Sequence, residues 1–249
     1  MSRRAAVTPL LLNIGNTHVE AGLPDQTPMI FATADFSLDK LPSRPSGQPL
    51  AAACVVPRFL PELREAGCFL VGADTASGLL DFSRVDASTL GADRIANAAA
   101  LLADESRLPA VCLDAGTAVT LEIVDEQKRF LGGAILPGRG LMRKSLHAGT
   151  GQLPEISFSA RIPDFPAANT ENSIRLGTDG LLLDGVRALL VRARKMFPGK
   201  QVRLVSTGGD GSFFQSHIPE LEEAPADFTM SGILRIYESC QKKERDTIS

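Results

Sequence analysis

The sequence is poor in several features, and each shortage closes off a class of function. Cysteine occurs four times, at Cys54, Cys68, Cys112 and Cys240, with none of the close pairs that zinc or dithiol chemistry requires. Two of the four sit inside apolar runs that read as core strands, so a reduced, cytoplasmic protein is expected. Long apolar runs are missing as well. No stretch approaches the roughly 18 residues of a membrane span, and no membrane partner is expected. The start, Arg3-Arg4 followed by Ala5 to Leu12, is too short a run for a secretory leader and leads straight into a glycine turn, so it reads as the first strand. There is no excess of positive charge. With 26 Lys+Arg against 29 Asp+Glu, the net charge of -3 gives no global attraction to nucleic acid, and any phosphate must be held by local geometry. The only dense charge run, Lys242-Lys243-Glu244-Arg245-Asp246, reads as a solvated tail. Nor is there a long tract without apolar residues: 44% hydrophobic and 22% charged is globular usage, and 249 residues suffice for one large domain or two smaller ones.

What is present is a weak internal repeat. Leu10-Leu11-Leu12-Asn13-Ile14-Gly15-Asn16-Thr17 and Val111-Cys112-Leu113-Asp114-Ala115-Gly116-Thr117 are both apolar strands ending in Asn/Asp-x-Gly. Each leads into another strand-like run, Val19 to Leu23 and Ala118 to Val124, so both copies read as hairpins bent at a glycine. A duplicated strand-turn-strand about a hundred residues apart predicts two related lobes, 1–107 and 108–249. Between the copies lie a Pro/Ser-rich loop from Ser37 to Pro49, a strand ending at Pro57, and an alanine-rich helix from Leu90 to Leu102. The second copy continues into a strand from Arg129 to Leu136 and a helix from Leu141 to about Ala148. A long amphipathic helix from Thr178 to Phe197, a strand from Gln201 to Val205 and a closing helix from Gly232 to Cys240 complete a mixed α/β chain.

Neither a P-loop nor a GxGxxG fingerprint occurs. Glycine turns stand instead directly after apolar strands, at Gly15-Asn16-Thr17, Gly116-Thr117 and Gly208-Gly209, where a small residue lets backbone N–H groups approach a phosphate. One such turn is ordinarily only a turn. Several together, with neighbouring hydroxyl and carboxyl or amide groups, fit a cleft that grips a nucleotide from both sides.

Asn13-Ile14-Gly15-Asn16-Thr17, Gly91-Ala92-Asp93-Arg94, Asp114-Ala115-Gly116-Thr117-Ala118-Val119-Thr120 and Gly132-Gly133-Ala134-Ile135-Leu136-Pro137-Gly138 occur in the order seen in the type III pantothenate kinases. The stretches Asn169 to Gly177 and Gly232 to Glu238 agree too, so the chain resembles that family over nearly its whole length. The resemblance implies two ribonuclease H-like, actin-like ATPase lobes with a nucleotide cleft between them. It also implies ATP-dependent phosphorylation of pantothenate, the opening step of coenzyme A synthesis. The segment Asn13-Ile14-Gly15-Asn16-Thr17-His18-Val19-Glu20 would be the first phosphate loop, Thr117 an ATP contact, and Gly208 and Gly209 would lie near adenosine. Asp114 would serve a monovalent cation, K+ or NH4+, and Mg2+ would accompany the phosphates. Gly91, Ala92, Asp93 and Arg94 would bind pantothenate, with Asp93 accepting the hydroxyl proton and Arg94 suited to the carboxylate. Thr170 would complete the pocket of a neighbouring subunit in a homodimer. Outside this context Asp93-Arg94 reads as a first-turn acid beside a surface arginine. His18 and His147 taken alone read as surface groups, and Glu122 and Asp125 as solvent-facing strand and turn residues.

Two segments depart from the family pattern. Its phosphate loop opens with aspartate, where this chain has Asn13. Its aromatic residue seven before the Gly-x-Asp-Arg glycine is Arg84 here, and the proline three on is Ala87, with Phe82 a replacement ring only after a register shift. Arg84 is therefore placed at the substrate pocket. Asparagine keeps the shape but not the charge of aspartate, so the divalent ion is expected to be held less firmly and catalysis to weaken. A non-catalytic relative that keeps the fold is the competing reading.

Overall fold

A computed structural model of the chain describes residues 7–43, 45 and 47–248. The Arg3-Arg4 start and two positions of the Ser37 to Pro49 loop lie outside the described residues. The chain divides into two compact units. One gathers the described residues up to Leu108, Val124–Gly132, and those from Pro225 onward; the other gathers Pro109–Ile123 and Gly133–Ala224. The boundary read near Arg107 stands beside this division, with the C-terminal segment grouped with the first unit.

The first unit is built on strands β1 (Leu10–Ile14), β2 (His18–Gly22), β3 (Met29–Ala32), β4 (Leu50–Cys54) and β5 (Phe69–Leu70), in the order β3-β2-β1-β4-β5. β1 pairs antiparallel with β2 and parallel with β4, which explains its composition: a central strand covered on both faces reads as a continuous apolar run. Leu10, Leu12 and Ile14 join Val19, Ala21, Phe36, Phe59 and Leu63 in one core cluster. The short helices α1 (Leu60–Glu65) and α2 (Ala73–Ala76) precede α3 (Ala92–Leu101), and the last helix, α8 (Phe228–Ile248), packs along α3. Alanines at 96, 98, 99 and 100 keep α3 thin enough for that approach. Inside the contact Thr229 Oγ1 donates to Asn97 Oδ1 at 2.7 Å, which satisfies two polar groups that burial would otherwise penalise.

The second sheet, which falls mostly in the second unit, repeats the pattern. Strands β6 (Ala110–Ala115), β7 (Ala118–Val124), β8 (Phe130–Pro137), β9 (Arg203–Thr207) and β10 (Glu222–Glu223) lie in the order β10-β9-β6-β7-β8, the same arrangement of hairpin strands and parallel partners as the first sheet. The duplicated strand-turn-strand of the sequence is thus the core of two like sheets. The other helices here are α4 (Arg139–Gly149), α5 (Thr170–Arg175), α6 (Leu181–Lys195) and α7 (Gly211–His217).

Several expectations shift. The amphipathic helix begins eight residues earlier than its apolar spacing predicts: α5 and α6 are joined by a π-turn over Leu176–Gly180, so one helical run extends from Thr170 to Lys195. The wider turn breaks the 3.6-residue period, which hid the first segment. The charge run at Lys242 continues α8 rather than forming a tail, since lysine, glutamate and arginine are good helix formers. Glu122 and Asp125 are not solvent-facing, at 0% and 2% exposure. Asp125 closes the β7–β8 turn, accepting from the backbone of Gln127 and Arg129 at 2.9 Å and pairing with Arg129 Nε at 2.6 Å.

Candidate functional site

In the first unit the predicted phosphate loop is a tight hairpin end. Gly15 N–H donates to the His18 carbonyl at 3.0 Å, leaving Asn16, Thr17 and His18 exposed at the tip. Thr33 braces the bend from behind: its Oγ1 donates to the Gly15 carbonyl at 2.7 Å and its N–H to the Thr17 carbonyl at 2.9 Å. Ile14 and Val19 are core residues that anchor the hairpin and present no polar group. The two ends of the loop face each other. Asn13 and Glu20 are register partners, and Asn13 Nδ2 donates to Glu20 Oε2 at 3.1 Å.

The Gly-Ala-Asp-Arg segment begins α3, with Gly91 as its extended N-terminal cap. Asp93 Oδ1 folds back to accept from the Arg94 N–H at 2.7 Å. A Cβ on Gly91 would stand 2.6 Å from that oxygen, so the glycine is what leaves room for this carboxylate. It would also touch Val55 Cγ1 at 3.6 Å, and Val55 N–H bonds the Ile14 carbonyl at 3.1 Å. The start of α3 therefore sits at the carboxyl ends of the parallel strands β1 and β4, where open α/β sheets place ligands. Burial pushes the Asp93 carboxyl above the usual aspartate range, opposed by the Arg94 N–H and the Arg94 charge. The Arg94 guanidinium lies 5.9 Å from the centre of the Phe130 ring, which packs at 6.0 Å on Phe82. Phe82 thus joins the aromatic neighbourhood of Arg94, while Arg84 is exposed in the following turn.

In the second unit Asp114 is at the end of β6, paired in register with Thr207 of β9. Thr117 is exposed at the hairpin tip, and its carbonyl accepts from Gly138 N–H at 2.9 Å. Gly208 has φ +86°, a left-handed conformation that strains other residues. A Cβ there would lie 2.7 Å from Asp114 Oδ1 and from the Ala115 carbonyl oxygen. Gly209 is exposed beside it. Thr170 is the exposed first residue of α5, capped by Asn169 Oδ1, which accepts from Asn172 N–H at 2.9 Å.

Sequence reasoning missed a buried ionic cluster in this unit. Arg139 and Arg143, one turn apart on α4, both pair with Asp179, which is 0% exposed. Arg139 also bonds Asp210 at 3.0 Å and lies 3.7 Å from the Phe213 ring centre. The i,i+4 arginines were a readable signal that α4 carries a charged face, but their partners come from distant segments.

As for metals, no group of three or more His, Cys, Asp or Glu side chains is placed to hold an ion among the described residues. Oxygen donors are at hand in each unit: the Glu20 carboxylate beside Asn13 Oδ1, a buried oxygen with no hydrogen-bond partner, and the Asp114 carboxylate beside the Ala115 carbonyl. No helix among the described residues is long and apolar enough to cross a membrane.

Comparison with known proteins identifies the family and the fold. The model of the family described as type III pantothenate kinase matches residues 9–190. A type III pantothenate kinase of Synechococcus sp. (strain JA-3-3Ab) is 34% identical over 246 residues, covering 93% of this chain and 91% of the relative. Another, from Bacteroides fragilis (strain YCH46), is 29% identical over 239 residues, covering 91% and 96%. Among solved structures, a Baf family protein from Campylobacter jejuni superposes with a TM-score of 0.63 at 20% identity, covering 94% of this chain and 99% of that one. MreB 5 of Spiroplasma citri does so at 0.51 and 11%, covering 98% and 99%. The fold is that of the actin-like ATPases.

Proposed function

The chain belongs to the type III pantothenate kinase family, and from that premise we propose how its residues divide the work. Its reaction is the ATP-dependent phosphorylation of pantothenate to 4'-phosphopantothenate, the first step of coenzyme A biosynthesis. Phosphoryl transfer asks the protein for in-line positioning and charge stabilisation more than for covalent chemistry. Asp93 is the acceptor of the pantothenate hydroxyl proton. The observation that carries this role is its carboxylate, folded over Gly91 at the start of α3 and desolvated enough to raise its basicity. A carboxylate with an elevated pKa is a better base near neutral pH than an ordinary aspartate.

Arg94 takes the pantothenate carboxylate, its guanidinium steadied near the Phe130 ring. Backbone N–H groups of Asn16, Thr17 and Thr117 serve ATP phosphates, with Gly208 and Gly209 near adenosine. Mg2+ would neutralise phosphate charge. Asp114 and the Ala115 carbonyl are the oxygen donors for a monovalent cation, K+ or NH4+. The exposed Thr170 at the start of α5 is free to contact the substrate of a second copy, which supports a homodimer as the working form, in the cytoplasm.

The test is ATP consumption by purified protein with and without pantothenate, in potassium or ammonium, with the product identified by mass. Pantothenate-dependent turnover that Asp93→Asn lowers by about 10² or more is expected. Protein that neither binds nor turns over either ligand would point to the non-catalytic reading.

A further inference from the structure

We propose that Glu20 carries the carboxylate that position 13 lacks, so that the negative charge of the first phosphate loop has moved across the hairpin rather than disappeared. This rests on the kinase reading above and assigns Glu20 as the positioning residue for the divalent ion on the ATP phosphates.

The argument begins with strand geometry. Residues directly opposite in an antiparallel pair project from the same face, and Asn13 and Glu20 are such partners, flanking the Gly15-Asn16-Thr17 turn. Their ends meet: Asn13 Nδ2 donates to Glu20 Oε2 at 3.1 Å. A carboxylate oxygen of residue 20 therefore sits one hydrogen bond from the terminal group of residue 13, close enough to act on the same ion. The amide is what permits this. With aspartate at 13, two carboxylates would oppose each other at about 3 Å, and one would have to take up a proton or turn away. Asparagine gives the glutamate an N–H donor instead.

Two further observations agree. Asn13 Oδ1 is buried and has no hydrogen-bond partner among the described residues, although buried polar atoms are nearly always partnered. An oxygen aimed nowhere, beside a carboxylate, is what a water shell or hard cation would satisfy. The next residue outward on the same face, Ile30, paired with Glu20 across β2–β3, is 65% exposed, so the glutamate is reached from solvent. A solvated surface glutamate that merely capped an asparagine would explain the hydrogen bond but not the orphaned oxygen.

Glu20→Gln separates charge from structure, because glutamine keeps an oxygen to accept from Asn13 and loses only the charge. Mn2+ binding to the protein with a non-hydrolysable ATP analogue is read by electron paramagnetic resonance, alongside thermal stability and the Mg2+ dependence of turnover. Glu20→Gln should weaken Mn2+ binding and raise the Mg2+ requirement by about tenfold, with unchanged melting temperature. The exchange Asn13→Asp with Glu20→Gln should restore both, while Asn13→Asp alone should fall below the parent protein through repulsion. Unchanged Mn2+ affinity in Glu20→Gln, or an Asn13→Asp variant that outperforms the parent with Glu20 in place, would overturn the assignment. The Mn2+ measurement does not use pantothenate, so a failure of the kinase reading shows separately, as absent turnover in the parent.

Discussion

Gly232 of α8 lies so close against Ala96 of α3 that a Cβ built on it would overlap the Ala96 carbonyl oxygen and stand 2.7 Å from its carbon. Both neighbours are backbone and cannot swing aside, so the helices would have to separate. Gly232→Ala should therefore cost about 1–3 kcal/mol or more, although alanine is the better helix former. For a chain of this size that lowers the melting temperature by roughly 2–4 °C per kcal/mol. Unchanged thermal or urea denaturation would show that the helix pair closes without this glycine.

The same reasoning at Gly91 reads out in activity rather than stability. A Cβ there meets a movable group, Asp93 Oδ1 at 2.6 Å, so the carboxylate can turn away at little cost to the fold. Gly91→Ala should leave the melting temperature nearly unchanged and lower kcat by roughly tenfold or more, with KM for ATP preserved. A normal kcat would mean that the folded-back carboxylate is not the working position.

The pH behaviour of Asp93 follows from burial, which raises its carboxyl above the ordinary aspartate range. Turnover should fall on the acid side as pH drops through that raised value, and Asp93→Asn should abolish this limb. The linkage to stability has the opposite sense. A carboxyl raised in the folded state contributes stability below its unfolded pKa and loses it as pH rises through the folded one, so at neutral pH the aspartate is a burden on the fold. Asp93→Asn should be as stable as the parent or more so at pH 7, while its turnover is lowered by about 10² or more. Marked destabilisation there would contradict the desolvated carboxylate.

Much of this was legible in the sequence because it depends on local rules. The Leu10-Leu11-Leu12 run and the glycine bends at Gly15 and Gly116 follow from periodicity and turn chemistry, and the repeated strand-turn-strand pointed to two like sheets, though not to the order of their strands. Ala118 to Val124 is β7 to the residue. What escaped depends on long-range partners. The burial of Glu122 cannot be read from a single strand, and no spacing rule brings Asp179 to Arg139 and Arg143. The pairing of Asn13 with Glu20 was within reach, since the hairpin register follows from the turn, but it needed the charge of both positions to be read together.

Asp179 tests the buried cluster. Asp179→Asn removes the counter-charge of two arginines that are 3% and 2% exposed, and should cost about 3–5 kcal/mol. The surface pair Arg187–Asp184, with side chains 47% and 75% exposed, gives the contrast, and Asp184→Asn should change denaturation by less than about 1 kcal/mol. Similar losses in the two variants would show that the cluster is not held by its charge.

The proposed homodimer makes a prediction of its own. Asp93→Asn and Thr170→Arg should each be inactive alone, yet regain part of the activity when mixed and allowed to exchange subunits, because a hybrid pocket takes both intact residues from different copies. A monomer by light scattering at working concentration would remove the basis of the idea.

Gly208 joins backbone strain to ion chemistry at one position. At φ +86° an alanine pays the left-handed penalty, about 1–2 kcal/mol. Its Cβ would also press at 2.7 Å on the Ala115 carbonyl and on Asp114 Oδ1. The carbonyl belongs to β6 and is fixed, and Asp210 N–H donates to it at 2.9 Å, so the Asp114 carboxylate is the group that must yield. If Asp114 and the Ala115 carbonyl hold the monovalent cation, Gly208→Ala should raise the potassium or ammonium concentration for half-maximal activation by about tenfold, a shift of about 1.4 kcal/mol. Asp114→Asn, which keeps the space and removes the charge, should do the same without the loss of stability. Activation by potassium unchanged in both variants would place the cation elsewhere and leave Gly208 as a turn residue alone.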